Sequence, residues 1–180
     1  MIKTLFFCTL GMLAGWLIVG PWYYDKSPLH NSVTKAVAMI YPTQNQKVTG
    51  VVTFNATQQG IKVALELQGL TPGKHGFHIH EHGNCNCPDA NCAGGHYNPT
   101  NMPHASPVMT HRHVGDFGNI EADKDGVVRT EFLDTHITLN GPHSIIGRSV
   151  IVHEKEDDFI TQPSGNAGAR WGCGVIGIAA

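Results

Sequence analysis

The sequence predicts an all-β fold, an eight-stranded antiparallel barrel or sandwich carrying two long loops. Three observations predict it: short β-rich runs recur along the chain, turn signals separate them, and no long stretch shows helical periodicity.

In order, the runs are residues 36–41, 48–56, 62–67, 76–81, 117–122, 127–133, 149–153 and 174–178. Gln58-Gln59-Gly60 separates the second from the third, and Thr71-Pro72-Gly73 the third from the fourth. Asp123-Lys124-Asp125-Gly126 stands between the fifth and sixth, where Asp125-Gly126 between two alternating runs marks a hairpin. Asn140-Gly141-Pro142 breaks the chain before the seventh. Residues 82–114 and 154–170 do not fit as strands, being rich in Gly, Pro, Asn and charge. Loops of that length are either functional or disordered. There is no internal repeat and no low-complexity tract.

The 180 residues divide into an N-terminal segment, 1–32, and a domain, 33–180, long enough to hold one core. Residues 4–24 carry no charge, with Lys3 before them and Asp25 after. This pattern reads as a signal peptide or a signal anchor followed by a linker. A secretory signal would be cut after Ala36-Val37-Ala38, which satisfies the small-x-small rule, whereas an uncleaved anchor would tether the domain to a membrane. Both readings place the domain outside the cytoplasm, in a periplasm or in the extracellular space. A net charge of −2 with histidine neutral gives no footprint for nucleic acid. Beyond Cys8, four cysteines remain: Cys85, Cys87, Cys92 and Cys173. An even number in an exported domain implies disulfides in preference to a thiolate zinc site, and four cysteines allow three pairings.

The chemistry concentrates in histidine, of which there are twelve. His78-Ile79-His80 lies in a predicted strand, and residues two apart on a strand point to the same face. Two imidazoles are thereby aimed at one point, as a metal ion requires. His96, His104, His113, Asp116 and His153 are further candidate ligands. Seven donors are too many for one four-coordinate ion and one too few for two, unless one ligand is shared. A histidine can be shared, because a fully deprotonated imidazole has two donor nitrogens. The residues therefore suggest two metals side by side.

Five stretches, GFHIHEHGNC (76–85), AGGHYNPTNMPH (93–104), RHVGDFGNIEADKDG (112–126), GRSVIVHEKEDD (147–158) and GNAGARWGCGVIGIA (165–179), resemble the copper/zinc superoxide dismutases in order and spacing. The resemblance runs from about Val48 to the C-terminus and implies a Greek-key β-barrel with two loops over the metal site. It also implies copper on His78, His80, His96 and His153, and zinc on His96, His104, His113 and Asp116, with His96 as the shared bridge. An all-imidazole site suits Cu(II), and a tetrahedral site with one carboxylate suits Zn(II). By the same resemblance, Asp157 ties a copper histidine to a zinc histidine and Arg170 stands beside the open copper position. Ser164 lies at the channel mouth, and Cys85 pairs with Cys173 in the manner of bacterial-type, exported members. Cys87 and Cys92 have no usual counterpart, and an extra Cys87–Cys92 bridge is expected in the zinc loop.

The implied reaction takes two superoxide anions and two protons to dioxygen and hydrogen peroxide, with His96 as general acid and Arg170 receiving the anion. The chain departs from cytosolic animal-type relatives between His153 and Arg170, where it is shorter and lacks their charged run. Because the subunit interface differs between branches of the family, monomer and homodimer both stay open. The alternative function is non-enzymatic copper and zinc binding for delivery or buffering, but the presence of all seven ligands and Arg170 favours the enzyme. His75 reads as a packing or supporting residue, and His82 and His111 as loop residues. His30, His136 and His143 carry no functional case.

Overall fold

Period-two burial builds this fold, and the computed structural model describes residues 32–180 of it. The N-terminal segment read as a signal or anchor lies outside the described residues. Among the described residues no helix is long and apolar enough to cross a membrane. Eight strands form: β1 (Lys35–Pro42), β2 (Thr49–Thr57), β3 (Gly60–Gln68), β4 (Gly73–His80), β5 (Asp116–Ala122), β6 (Val128–Asp134), β7 (Ser149–His153) and β8 (Arg170–Ile178). On β3 the apolar Ile61, Val63, Leu65 and Leu67 are buried, while Lys62, Ala64, Glu66 and Gln68 alternate outward. Ala36, Ala38 and Ile40 of β1 and Val52 and Phe54 of β2 face the same core.

The strands pair antiparallel in the order β5-β4-β7-β8-β1-β2-β3-β6. The chain runs β1, β2, β3 as a meander and then crosses to β4 at the far side, which is the Greek-key connection. The barrel is nearly closed. The expected turn forms at Asp123–Gly126, with Gly126 at φ +74 and its N–H donating to the Asp123 carbonyl at 3.0 Å. The expected hairpin ladder does not form, because β5 pairs with β4 and β6 with β3, leaving β5 and β6 as the two ends of the sheet. Side chains occupy the space between them, with Phe117 of β5 against Phe132 of β6 at 5.3 Å between ring centres.

The starts of β4 and β8 differ most from the sequence reading, β4 beginning at Gly73 and not at 76. β8 starts at Arg170, four residues before the expected 174, because its glycines are needed for close packing. A Cβ on Gly172 would come within 2.8 Å of Ile40 Cγ2, and one on Gly174 within 2.8 Å of Ile40 Cδ1. Gly-rich sequence reads locally as a weak strand, yet here it is what lets β8 lie against β1. The small-x-small tripeptide Ala36-Val37-Ala38 lies inside β1, paired with both β2 and β8. A signal cut after Ala38 would remove the first half of a central strand.

β4 and β7 are buried on both faces. Phe77 and Ile79 of β4 and Val150 and Val152 of β7 enter the barrel core, each stabilising the fold by roughly 1.5–3 kcal/mol. His78, His80 and His153 are also buried, and polar residues on the outer face of a strand become so only when something covers them. The cover is the loop between β4 and β5 and the loop between β7 and β8. The first is stitched to β4 by Tyr97 N–H to the Ile79 carbonyl, 2.8 Å, and Ile79 N–H to the Gly115 carbonyl, 3.0 Å. The second is closed by Glu154 N–H to the Ala169 carbonyl, 2.8 Å, and docked by Gly76 N–H to the Lys155 carbonyl, 2.8 Å.

Candidate metal centre

Strand period two puts His78 and His80 on the covered face of β4, next to His153 at the end of β7. An isolated bridge between His80 and His96 brings the first loop across them. The result is two groups of donors. One donor atom from each of His78, His80, His96 and His153 lies within 4.8 Å of the others, and the same holds for His96, His104, His113 and Asp116. His96 belongs to both. All seven residues named from the sequence are therefore brought together, and all are buried.

The atoms within each group tell more. His78 Nδ1 and His96 Nε2 are buried with no hydrogen-bond partner. His80 Nε2 and His153 Nε2 face each other at 3.3 Å. Buried nitrogens are normally satisfied, so two partnerless nitrogens beside two that meet only each other fit a cation in the middle. In the second group, His96 Nδ1, His104 Nδ1 and His113 Nδ1 lie 2.7, 3.0 and 3.2 Å from Asp116 Oδ1. Three imidazoles and a carboxylate around one point are the donor set of a tetrahedral zinc site.

Four of the rings are held by their other edge. His80 Nδ1–H donates to the Gly94 carbonyl at 2.9 Å, and His153 Nδ1 lies 3.4 Å from the Gly168 carbonyl. Asp157 spans the two groups: Oδ2 accepts from His78 Nε2 at 2.8 Å and Oδ1 from His104 Nε2 at 2.9 Å. Such a link fixes ring orientation in both groups at once. His75 is buried between the Thr71 carbonyl, 2.8 Å from Nε2, and the His153 carbonyl, 2.9 Å from Nδ1, so it supports the strand end that carries His153.

Burial is the largest influence on His78, His80, His96 and His153 and moves all four below the usual histidine range; His96 falls to about 4. For His104 burial acts downward too, but hydrogen bonds to Asp116 and Asp157 outweigh it and the net shift is upward. Both carboxyls lie below the usual range, because hydrogen bonds from the histidines overcome the cost of burial. The histidines of the first group are thus held neutral, which is the state that binds a metal.

His80, His96, His113 and His153 open into a cavity of about 890 Å³, also lined by Ser164 and Arg170. Arg170 opens β8, and its guanidinium is forked onto two carbonyls, Nη1 to Ala90 at 2.6 Å and Nη2 to Gly94 at 2.7 Å. Cys85 is joined to Cys173, and Cys87 to Cys92. His82, His111, His136 and His143 lie outside both groups, and His30 lies outside the described residues.

Three supporting residues were not singled out from sequence. Asn119 clamps the backbone of Asp157, donating from Nδ2 to its carbonyl at 2.9 Å and accepting its N–H at 2.7 Å. Gln162 does the same for His104, at 2.8 and 2.9 Å. Arg112 Nη1 donates to the His113 carbonyl at 2.9 Å while Nη2 meets Asp134 Oδ2 at 2.5 Å, a buried ion pair. Nothing in local spacing points to Asn119 or Gln162, whereas Arg112 lies in the quoted RHVGD stretch directly before a ligand.

Comparison with known proteins bears on this geometry. The family model described as copper/zinc superoxide dismutase matches residues 48–176. The extracellular copper/zinc superoxide dismutase of Brugia pahangi is 37% identical over 179 residues, covering 87% of this chain and 88% of that one. The extracellular enzyme of Drosophila melanogaster is 45% identical over 161 residues, covering 82% and 87%. A crystal structure of the clock protein EA4 superposes with a TM-score of 0.75 at 40% identity, covering 81% of this chain and 95% of that one.

Proposed function

The chain belongs to the copper/zinc superoxide dismutase family, and from that premise we propose which of its residues carry the reaction. It is an oxidoreductase that converts two superoxide anions and two protons to dioxygen and hydrogen peroxide, with copper and zinc as cofactors. Copper, when bound, supplies the one-electron couple that alternately oxidises and reduces superoxide, and zinc supplies a fixed Lewis-acidic anchor for one edge of His96.

His78 Nδ1, His80 Nε2, His96 Nε2 and His153 Nε2 would hold copper. His96 Nδ1, His104 Nδ1, His113 Nδ1 and Asp116 would hold zinc. The observation that carries the reading is the set of buried, unsatisfied imidazole nitrogens converging beside the cavity that Arg170 lines.

His96 acts as general acid at Nε2, the edge turned towards the other copper donors. Burial and the neighbouring His78 hold its affinity for protons down, so a proton on Nε2 is readily given to a departing peroxide. Arg170 receives the anion. Two of its five N–H groups are committed to the Ala90 and Gly94 carbonyls, which orients the remainder of the fork without using it up. Ser164 offers a hydroxyl on the same wall. Asp157 keeps the rings of His78 and His104 in register, and the Cys85–Cys173 bridge anchors the first loop to β8 three residues beyond Arg170.

The test is superoxide decay by pulse radiolysis with the protein loaded with copper and zinc, at two ionic strengths. Fast, copper-dependent turnover that weakens with salt supports this reading. Stoichiometric binding of both metals without turnover would leave metal delivery or buffering as the better account.

We also place the protein outside the cytoplasm. Two disulfides persist in an oxidising compartment, and two of the relatives are named extracellular enzymes. Residues 4–24 serve export as a signal or as a membrane anchor, which N-terminal sequencing of the mature protein distinguishes. Exposed Tyr41 on β1 and exposed Val175 and Ile178 on the adjoining β8 support a homodimer, which sedimentation equilibrium tests.

A further inference from the structure

The second disulfide encloses the residue that holds the arginine. Cys87 and Cys92 are bonded with Cα atoms 5.7 Å apart, and the ring they close contains only residues 88–91. Ala90 lies inside it. Its carbonyl accepts Arg170 Nη1–H at 2.6 Å, eighty positions away in the chain. Ala90 is fully buried at φ +55, in the left-handed region that alanine enters only under constraint from its surroundings.

Two hydrogen bonds hold that conformation: Ala90 N–H to the Cys87 carbonyl at 2.9 Å, and Ala93 N–H to the Ala90 carbonyl at 3.1 Å. The first lies within the ring, and the second runs from it to the residue directly after Cys92. The Cys85–Cys173 bridge also spans Ala90, but within a loop of sequence separation 88 and not a tight ring. It ties down the chain five residues earlier, and Asn86, Pro88 and Asp89 between them are exposed. Gly94, whose carbonyl takes Arg170 Nη2–H at 2.7 Å, lies two residues past Cys92 and donates its own N–H to Asn91 inside the ring at 3.1 Å. One of the two carbonyls that fork the guanidinium thus lies inside a small covalent loop, and the other belongs to a residue hydrogen-bonded to it.

We propose that the Cys87–Cys92 disulfide is a positioning device for Arg170: it fixes the Ala90 and Gly94 carbonyls and through them the direction in which the guanidinium meets an incoming anion. This rests on Arg170 being the anion-binding residue. The bridge touches neither substrate nor metal, so its removal alters anion capture and not metal content.

The test is a double-mutant cycle on the full chain loaded with copper and zinc, with superoxide decay normalised to bound copper and azide affinity as an independent anion probe. Cys87→Ser/Cys92→Ser is expected to lower the rate per copper, and weaken azide binding, by about tenfold, since small misplacements of a binding group are costly. Both metals and the Cys85–Cys173 bond are expected to stay. In an Arg170→Ile background the serine pair is expected to cost nothing more, because the bridge acts only through the arginine. Equal losses in both backgrounds, or no loss in the native one, overturn the proposal while leaving Arg170 in its role. If Arg170→Ile alone leaves the rate and azide binding unchanged, the anion-binding assignment fails and the proposal with it. If neither the serine pair nor Cys87→Ala/Cys92→Ala binds metal at all, the bridge serves folding and the positioning role is overturned.

Discussion

His80 and Arg170 donate to the same oxygen, the carbonyl of Gly94, at 2.9 and 2.7 Å. One backbone atom thus sets the distance between an imidazole of the copper group and the cation that lines the cavity. Gly94 is at φ +77, and a Cβ there would come within 2.9 Å of Glu81 Oε2 and 3.0 Å of His82 Cδ2, so the position suits glycine.

That shared acceptor leads to the first prediction. Arg170→Ile removes the cation and leaves His80 hydrogen-bonded to Gly94. The rate constant for superoxide decay is expected to fall about 10- to 100-fold, the loss of one charge-assisted contact. Its dependence on ionic strength should flatten as well, with copper and zinc contents unchanged. Pulse radiolysis at low and high salt with metal analysis measures all three, and loss of metal would assign Arg170 a structural role instead.

Asp157 is the joint between the two metal groups. Asp157→Asn keeps the shape, but an amide presents an acceptor to only one of His78 and His104. Copper and zinc affinities are expected to drop about 10- to 100-fold, as when other outer partners of metal ligands are removed. Competition with a chromophoric chelator reads this directly. Gly165→Ala should act in the same direction, because a Cβ at that position, where φ is +65, would collide with Asp157 Oδ1 and His104 Nε2. Unchanged affinities in both variants would remove Asp157 from its supporting role.

The metal-free protein should lose stability on mild acidification. His78, His80, His96 and His153 have folded values below the ordinary 6.5, so below pH 6.5 the unfolded chain binds more protons and folding weakens as pH falls. Asp116 and Asp157 are depressed, and their contribution is lost only at still lower pH, below the ordinary 3.8. His104 is shifted the other way, to about 9; its contribution is complete below 6.5 and lost as pH rises through 9. The thermal midpoint is therefore expected to be highest near neutrality and lower at pH 5 than at pH 7. A midpoint equal or higher at pH 5 would falsify the account of these histidines as buried and neutral.

Cys85 and Cys173 are 88 residues apart in sequence, so their bond removes much freedom from the unfolded chain. Cys85→Ser/Cys173→Ser is expected to destabilise the metal-free protein by about 4 kcal/mol, the size that loop closure over this span suggests. Urea denaturation of the metal-free pair of proteins measures it. A difference under 1 kcal/mol would mean that the loop is anchored by its hydrogen bonds to β4 alone.

Much of the fold was legible locally. All eight strands coincide with β-rich runs because a one-sided core imposes period two on composition. The same rule placed His78 and His80 on one face, and counting donors required a shared histidine. The beginning of β8 and the missing β5–β6 ladder were not legible, since both depend on which strand lies alongside. A glycine-rich strand is stabilised by its neighbour, and a tight turn does not compel the strands that follow it to pair.

By itself, then, the sequence determined the strand set, the seven candidate ligands and the even cysteine count, all of which follow from periodicity and residue chemistry. Only the tertiary structure decided which imidazole nitrogens are left unpartnered, that Asp157 spans both groups, and that Arg170 is forked onto Ala90 and Gly94. The physical reason is distance along the chain. Arg170 reaches carbonyls 80 and 76 positions away, and Asp157 reaches histidines 79 and 53 positions away. Such contacts are set by where two loops close over a barrel, a property of the packed whole that no local pattern encodes.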